Sequence, residues 1–411
     1  MPTRRGWAAV AAGVGLWIAA RIVGSSDLHL AAAGFLVVPL VTTLYVRFAR
    51  VRLSIRRHVS PARIFAGGRT TVGLRLENLS FQTTPFLLLE DSLPSDLGRP
   101  ARLVAAGIPP RNHLETSYTI SARRRGKYRM GPLSIFVSDP FGLARTRVEA
   151  SGRSDLVVYP EVESVDASHL LSQGVGSGES TARQLHRTAA EFYTMREYVT
   201  GDDLRRIHWP SVAKTGQLMI RQDESTRRST ATIFLDNRTN VLGPAGSEAF
   251  ERAVSVAASL GVAFVRSGFA AYLATADRPP HPVTEEGLLE ATAGMSLTQS
   301  RHTTDVATTL RSGSLADTTL AFVSAPPPAS DLPSVVRLGT SFGRKLAVLV
   351  YPMDPGALPA VAGEELRARA STARASLTRA GWEVYVLPPN GKLGEVWEKT
   401  SKNLRAGAFS S

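Results

Sequence analysis

The residues best suited to chemistry lie in one charged stretch, Glu191-Phe192-Tyr193-Thr194-Met195-Arg196-Glu197-Tyr198-Val199-Thr200-Gly201-Asp202-Asp203-Leu204-Arg205-Arg206-Ile207-His208-Trp209. It continues through Ser211-Val212-Ala213-Lys214 to Gln217-Leu218-Met219-Ile220-Arg221. Guanidinium groups pair bidentately with carboxylates and stack on aromatic faces, so Arg196, Tyr198, Arg205, His208 and Trp209 suit either a buried polar network or a docking surface. Behind Gly201, the adjacent carboxylates of Asp202 and Asp203 could hold a divalent cation, cap a helix or meet an arginine; structural ion pairing is the favoured reading. His208 has carboxylate neighbours but no nucleophile beside it, so no catalytic set is complete. The chain has no Cys, which excludes disulfides, thiolate metal sites and thiol nucleophiles. No glycine-rich phosphate loop followed by Lys and Ser/Thr occurs, which argues against ATP hydrolysis by the chain itself. The expectation is a protein that is not an enzyme.

Different textures flank this stretch. Residues 51–160 carry short strand-like segments such as Thr71-Val72-Gly73-Leu74-Arg75-Leu76 and Phe86-Leu87-Leu88-Leu89, punctuated by Gly67-Gly68, Asn78, Pro94, Gly107 and Pro109-Pro110. That spacing predicts an all-β sandwich. The segments Arg125 to Leu133 and Asp139-Pro140-Phe141-Gly142-Leu143 read as structural corners. Residues 161–229 read as a mobile loop, then a charged, ordered connector. From 230 to 411 apolar strands (Ala231–Leu235, Ala271–Thr275, Leu320–Val323, Leu346–Val350, Val384–Leu387) alternate with helical patterns at Glu248–Val265 and Glu364–Ala380. Such alternation predicts an α/β doubly wound domain, its parallel sheet covered on both faces.

Two apolar stretches, 7–23 and 28–46, precede all of this within residues 1–50. At about 1.5 Å per residue each can cross a hydrocarbon core of roughly 30 Å, and Gly24-Ser25-Ser26-Asp27 is long enough for a tight turn only. A cleaved signal peptide is the alternative to this transmembrane α-hairpin, but it would leave a second membrane-length stretch at the mature start. Arg4 and Arg5 precede the hairpin and Arg47, Arg50, Arg52, Arg56 and Arg57 follow it. Both termini are therefore expected in the cytoplasm, with the chain two-pass in the membrane and those arginines against anionic lipid headgroups. The formal net charge is +13, yet no recognition helix, zinc spacing or aromatic stacking motif supports nucleic-acid binding.

Arg196, Tyr198, Gly201-Asp202-Asp203, Arg205, Ile207-His208-Trp209 and Ala213 resemble the hallmark segment of a bacterial membrane-anchored family, domain of unknown function fifty-eight. The corners at 125–132 and 139–143, Tyr159-Pro160 and the hairpin are also similar to that family, so the resemblance covers most of the chain. It implies a von Willebrand factor A-like C-terminal half and genomic association with MoxR-type AAA+ ATPases and transglutaminase-like proteins. It also implies a Mg²⁺ site of the form Asp-x-Ser-x-Ser at the end of the first strand. This chain has Asp236-Asn237-Arg238-Thr239-Asn240 there, with a cation and an amide in place of the two hydroxyl ligands. A salt bridge from Asp236 to an arginine is the competing reading. The functional expectation is a membrane-anchored scaffold or adaptor for a protein partner such as a MoxR-type AAA+ ATPase, with a divalent-metal-dependent ligand-binding module or hydrolase using Asp236 as the alternative.

Overall fold

The computed structural model describes residues 1–48, 52–105, 107–150, 152–167, 193–199, 207–223, 229–299, 310, 319–388 and 391–408. It divides into two compact units, Met1–Val162 with Leu289–Met295, and Glu163–Leu288 with Ser296–Ser411.

The first unit opens with two apolar helices, α1 (Arg4–Val23) and α2 (Ser26–Phe48), each long and apolar enough to cross a membrane. Gly6, Gly13 and Ala20 are buried along α1, and Ala32, Pro39 and Val46 along α2, where Thr42 is buried as well. Each set of three repeats every seven residues, the period of a seam between two supercoiled helices, and small residues let the backbones approach closely. Gly13 shows how closely: a Cβ there would lie 2.9 Å from the Leu36 side chain.

Among its described residues the same unit holds ten strands in three sheets. One sheet has the antiparallel order β1 (Leu53–Ser60), β3 (Arg69–Asn78), β6 (His113–Ser121). A second, also antiparallel, runs β5 (Ala101–Ala105), β4 (Phe86–Asp91), β8 (Leu133–Ser138), β9 (Arg145–Ala150). The third joins β2 (Arg63–Phe65), β10 (Ser154–Tyr159) and β7 (Gly126–Met130). Alternate side chains point inward, so Val72, Leu74 and Leu76 of β3 meet Leu87 and Leu89 of β4, Ile135 of β8 and Leu156 of β10 in one core.

Arg57 corrects the lipid-facing reading of the arginines after the hairpin. It shares its strand face with Ile55 and Val59, and its side chain is 6% exposed. Its Nη2 donates to Asp91 Oδ1 at 2.5 Å, and its Nη1 donates to the carbonyls of Met130 and Gly152, both at 3.1 Å. Tyr118 Oη donates to the other Asp91 oxygen at 2.5 Å. The network ties the β1-β3-β6 sheet to the β4 sheet. Arg47, Arg52 and Arg56 are exposed, and Arg50 lies outside the described residues.

The N-terminal residues fold back onto the β8–β9 turn. Thr3 N donates to Leu143 O at 2.8 Å, Thr3 Oγ1 donates to Gly142 O at 2.7 Å, and Arg145 N donates to Met1 O at 2.9 Å. Thr3 also caps α1 by accepting from Gly6 N at 3.1 Å. The turn is itself held by Asp139, which accepts from Phe141 N at 2.8 Å and from Ala144 N.

In the second unit a six-stranded sheet has the order β15 (Arg278–Val283), β14 (Ala270–Thr275), β13 (Thr230–Leu235), β16 (Thr319–Ser324), β17 (Arg344–Val350), β18 (Glu383–Leu387). All neighbours are parallel except β15, an antiparallel edge strand that carries three prolines in Arg278-Pro279-Pro280-His281-Pro282-Val283. Proline lacks the N–H an inner strand needs, which confines such a segment to an edge. Before β13 the chain forms a hairpin, β11 (Tyr193–Glu197) with β12 (Met219–Asp223), and between them lies the short helix α3 (Trp209–Thr215).

Among the described residues the remaining helices are α4 (Thr239–Leu242), α5 (Glu248–Arg266), α6 (Glu285–Ala293), α7 (Leu332–Leu338), α8 (Ala360–Arg379) and α9 (Leu393–Ala408). Helix α5 packs on β13, β14, β16 and β17, while α8 and α9 pack on β18. Phe234 and Phe322 stack across the central strands at 5.4 Å, and Tyr385 stacks on Trp397 at 4.6 Å. From β13 the chain steps one way to β14, then crosses back to β16 and steps the other way to β17 and β18. This reversal lies at the carboxyl ends of β13 and β16, and the crevice at such a switch point is where open α/β sheets bind ligands.

Candidate functional site

Asp236 follows β13 at that crevice, its N–H donating to Val323 O of β16 at 2.9 Å. Its carboxylate is 1% exposed and already engaged. Arg238 Nε donates to Oδ1 at 2.7 Å and Arg238 Nη2 donates to Oδ2 at 2.8 Å, a two-pronged fork from a side chain itself 4% exposed. Ser324 Oγ, at the end of β16, donates to Oδ2 at 3.0 Å. The fork forms because Arg238 is extended just before α4 (φ −76°, ψ 137°), which lets its side chain turn back two residues.

The neighbouring groups form a second hydrogen-bonded set, which reaches the exposed Asp277. Asn237 Oδ1 accepts from Ala276 N at 3.0 Å, and its Nδ2 donates to Asp277 Oδ1 at 2.9 Å and to Ser296 O at 3.0 Å. Thr275 Oγ1 donates to the same Asp277 oxygen at 2.7 Å. Burial works to raise the Asp277 pKa, but the hydrogen bonds from Asn237 and Thr275 outweigh it and hold the carboxyl below its ordinary value.

A divalent ion does not fit these residues as they stand. Mg²⁺ needs free carboxylate lone pairs and hydroxyl or water oxygens around it. Here both Asp236 oxygens are bonded to a guanidinium, whose charge would repel the ion, and Asn240 is exposed on α4 rather than turned inward. The implied metal role of Asp236 therefore gives way to the Asp236–Arg238 salt bridge, the competing reading of that motif. Both Asp236 oxygens are thus taken up by hydrogen bonds from Arg238 and Ser324.

The charged connector is placed separately. Arg196 lies on β11, paired in register with Ile220, and its neighbour beyond the strand, Tyr198, donates its N–H to Leu218 O at 2.8 Å. His208 N donates to Met219 O at 2.9 Å, so Tyr198 and His208 reach consecutive residues at the start of β12. His208 Nδ1 lies 2.9 Å from Ser211 Oγ, and Trp209, first residue of α3, is 65% exposed. Gly201, Asp202, Asp203 and Arg205 lie outside the described residues.

Ser324, Thr275 and Asp277 are site residues that motif reading missed. A signal for them existed: Thr275 and Ser324 end apolar parallel strands, Asp277 lies two residues beyond Thr275, and strand carboxyl ends line the crevice of such sheets.

Residues 194–281 match the family model described as "Protein of unknown function DUF58". The chain is also similar to the "Uncharacterized protein YeaD" of Bacillus subtilis (strain 168), 25% identical over 226 residues, or 53% of this chain and 54% of that protein. The match thus spans about half the length of that curated relative. Among solved structures, the CARDB domain of the PF1109 protein from Pyrococcus furiosus aligns with a TM-score of 0.20 and 14% identity, over 27% of this chain and 96% of that one. The alkylpurine DNA glycosylase AlkC of Pseudomonas fluorescens aligns with a TM-score of 0.20 and 14% identity, over 34% of this chain and 43% of that one. At such TM-scores neither likeness bears on fold or function.

Proposed function

We propose, from the match of residues 194–281 to the DUF58 family model, that this chain is a DUF58 family member and a membrane-anchored, non-enzymatic scaffold that holds a protein partner against the cytoplasmic face of the plasma membrane. The observation that carries this reading is the Asp236–Arg238 fork. A crevice whose one buried carboxylate is neutralised from within serves shape and charge recognition better than catalysis. On this reading the second unit is a von Willebrand factor A-like domain acting without an ion at Asp236; the strand order and the place of Asp236 after β13 support that likeness. The first unit is a β-sandwich carried at the base of the hairpin.

Orientation follows from charge. Between Asp27 and Glu77 there are eight arginines and no acidic residue, which suits the cytoplasmic leaflet. Tethering then works by confinement, because a partner held near the bilayer meets the scaffold at a raised effective concentration. The family resemblance points to a MoxR-type AAA+ ATPase as that partner, and the exposed Trp209 of the hallmark segment suits the anchor position of an interface.

Affinity purification of the full chain from native membranes tests the reading. Wild type is expected to retain an AAA+ ATPase identified by mass spectrometry, and Trp209→Ala to lower its yield by about tenfold, the scale of an interface anchor. Consistent recovery of no such ATPase with wild type refutes the partner.

A further inference from the structure

Three loops of the first unit crowd one end of its sheets. The loop 79–85 leads from the end of β3 to the start of β4, 107–112 precedes the start of β6, and 139–144 joins the end of β8 to the start of β9. Register places these strand ends together: Asn78 pairs with Leu53 at the start of β1, and Phe86 with Ser138. This is the end at which α2 hands over to β1, only five residues from Phe48 to Leu53. It is also the end clipped to the start of α1, through Thr3 on Gly142 and Leu143 and through Gly6, whose Cβ position would clash with Leu143 O.

The composition of this end is unlike that of an ordinary loop surface. Phe81 is 81% exposed and Phe141 68%, with Leu79 and Phe86 exposed beside them. The loops are held rather than loose. Buried Asn78 donates through Nδ2 to Gln82 O at 2.8 Å and Ile108 O at 2.9 Å, and Arg111, at φ 55°, places its guanidinium 5.4 Å from the centre of the Phe81 ring. Asp139 is the one acidic residue of the three loops, and it is buried with its oxygens bonded to Phe141 N and Ala144 N.

We propose that this end of the β unit is a membrane-docking surface, in which Phe81 and Phe141 enter the interface of an anionic bilayer while Arg52 and Arg111 meet lipid phosphates. The inference rests on the transmembrane reading of α1 and α2. A helix of 20 residues is about 30 Å long, so a spanning α1 has its first turn at the membrane surface. The β8–β9 turn is hydrogen-bonded to that first turn and lies at the same depth. Aromatic side chains in this zone bury their rings at the headgroup boundary, and arginine near an anionic surface adds to the attraction. The β unit is thereby fixed against the lipid at two points rather than swinging from a single tether.

The cysteine-free chain makes the test direct. Phe81→Cys and Phe141→Cys are labelled with an environment-sensitive fluorophore, and Ser95→Cys, beyond the opposite end of β4, is the control. Each full-length protein is reconstituted in phosphatidylglycerol-containing vesicles with lipids spin-labelled at a shallow acyl position, and alkaline carbonate extraction reports anchoring. The expected result is carbonate resistance, with labels at 81 and 141 blue-shifted and quenched about threefold more than the label at 95, as for side chains at the headgroup boundary. Carbonate resistance with all three labels quenched alike overturns the docking surface and leaves the anchor standing. Release by carbonate overturns both.

Discussion

Among the described residues each unit buries an Arg–Asp pair, and the two pairs are built for different ends. Arg57 and Asp91 stand 34 residues apart and come from different sheets, with Tyr118 from β6 closing the network. Asp236 and Arg238 stand two residues apart on one turn, beyond the carboxyl end of a central strand of one sheet. The first pair exists only when two sheets have docked, so it reports and enforces tertiary structure. The second forms from local chain geometry and leaves the rest of its crevice free to vary. A buried ion pair thus acts as a staple in one place and as a plug in the other. Burial also pushes the Asp91 carboxyl up against the opposing pull of Tyr118 and Arg57, and it pushes the Tyr118 hydroxyl up, which keeps that proton available for donation.

Breaking the staple should have the largest effect. Asp91→Ala leaves the Arg57 charge buried without its carboxylate, and denaturation of the purified protein is expected to show a loss of about 4–5 kcal/mol. A triple change, Arg57→Met with Asp91→Leu and Tyr118→Phe, should recover most of that loss, because apolar packing can replace a buried pair when both charges go. Breaking the plug should cost less. Arg238→Ala leaves Asp236 with the Ser324 hydroxyl as a remaining donor, and about 3 kcal/mol is expected in the same assay.

The smallest effect sharpens the plug's surroundings. Asp277 has a lowered pKa in the folded state, so its contribution is present above its unfolded value and is lost as pH falls through the folded one. The stability advantage of wild type over Asp277→Asn should accordingly narrow as pH is taken below about 4. An advantage that widens in acid would reverse the assigned direction.

The two pairs were not equally legible in the sequence. Asp236 and Arg238 fall in one motif, so a salt bridge could be read from a few residues. Arg57 invited a lipid-facing reading because it closes a run of arginines after the hairpin. Strand alternation carried the contrary signal, since Arg57 shares a face with Ile55 and Val59, and Asp91 with Leu87 and Leu89. No local rule pairs residues in strands from separate sheets, so their meeting depended on tertiary assembly. The central strands of the α/β unit were plain in their apolar runs, because both faces are covered. The edge strand β15 was hidden by its prolines, and the hairpin helices showed length and apolarity but not the seven-residue seam of Gly6, Gly13 and Ala20.

The most direct test of a crevice plugged by its own arginine is thermal unfolding of the full-length protein and of Asp236→Asn, with EDTA or with about 10 mM Mg²⁺ or Mn²⁺. A site with a dissociation constant near 0.1 mM would gain about 2.7 kcal/mol under that excess of ion. Neither protein should be stabilised by the ion, because Arg238 already holds both Asp236 oxygens. Stabilisation of wild type that disappears in Asp236→Asn would contradict the plug and restore the metal-dependent reading.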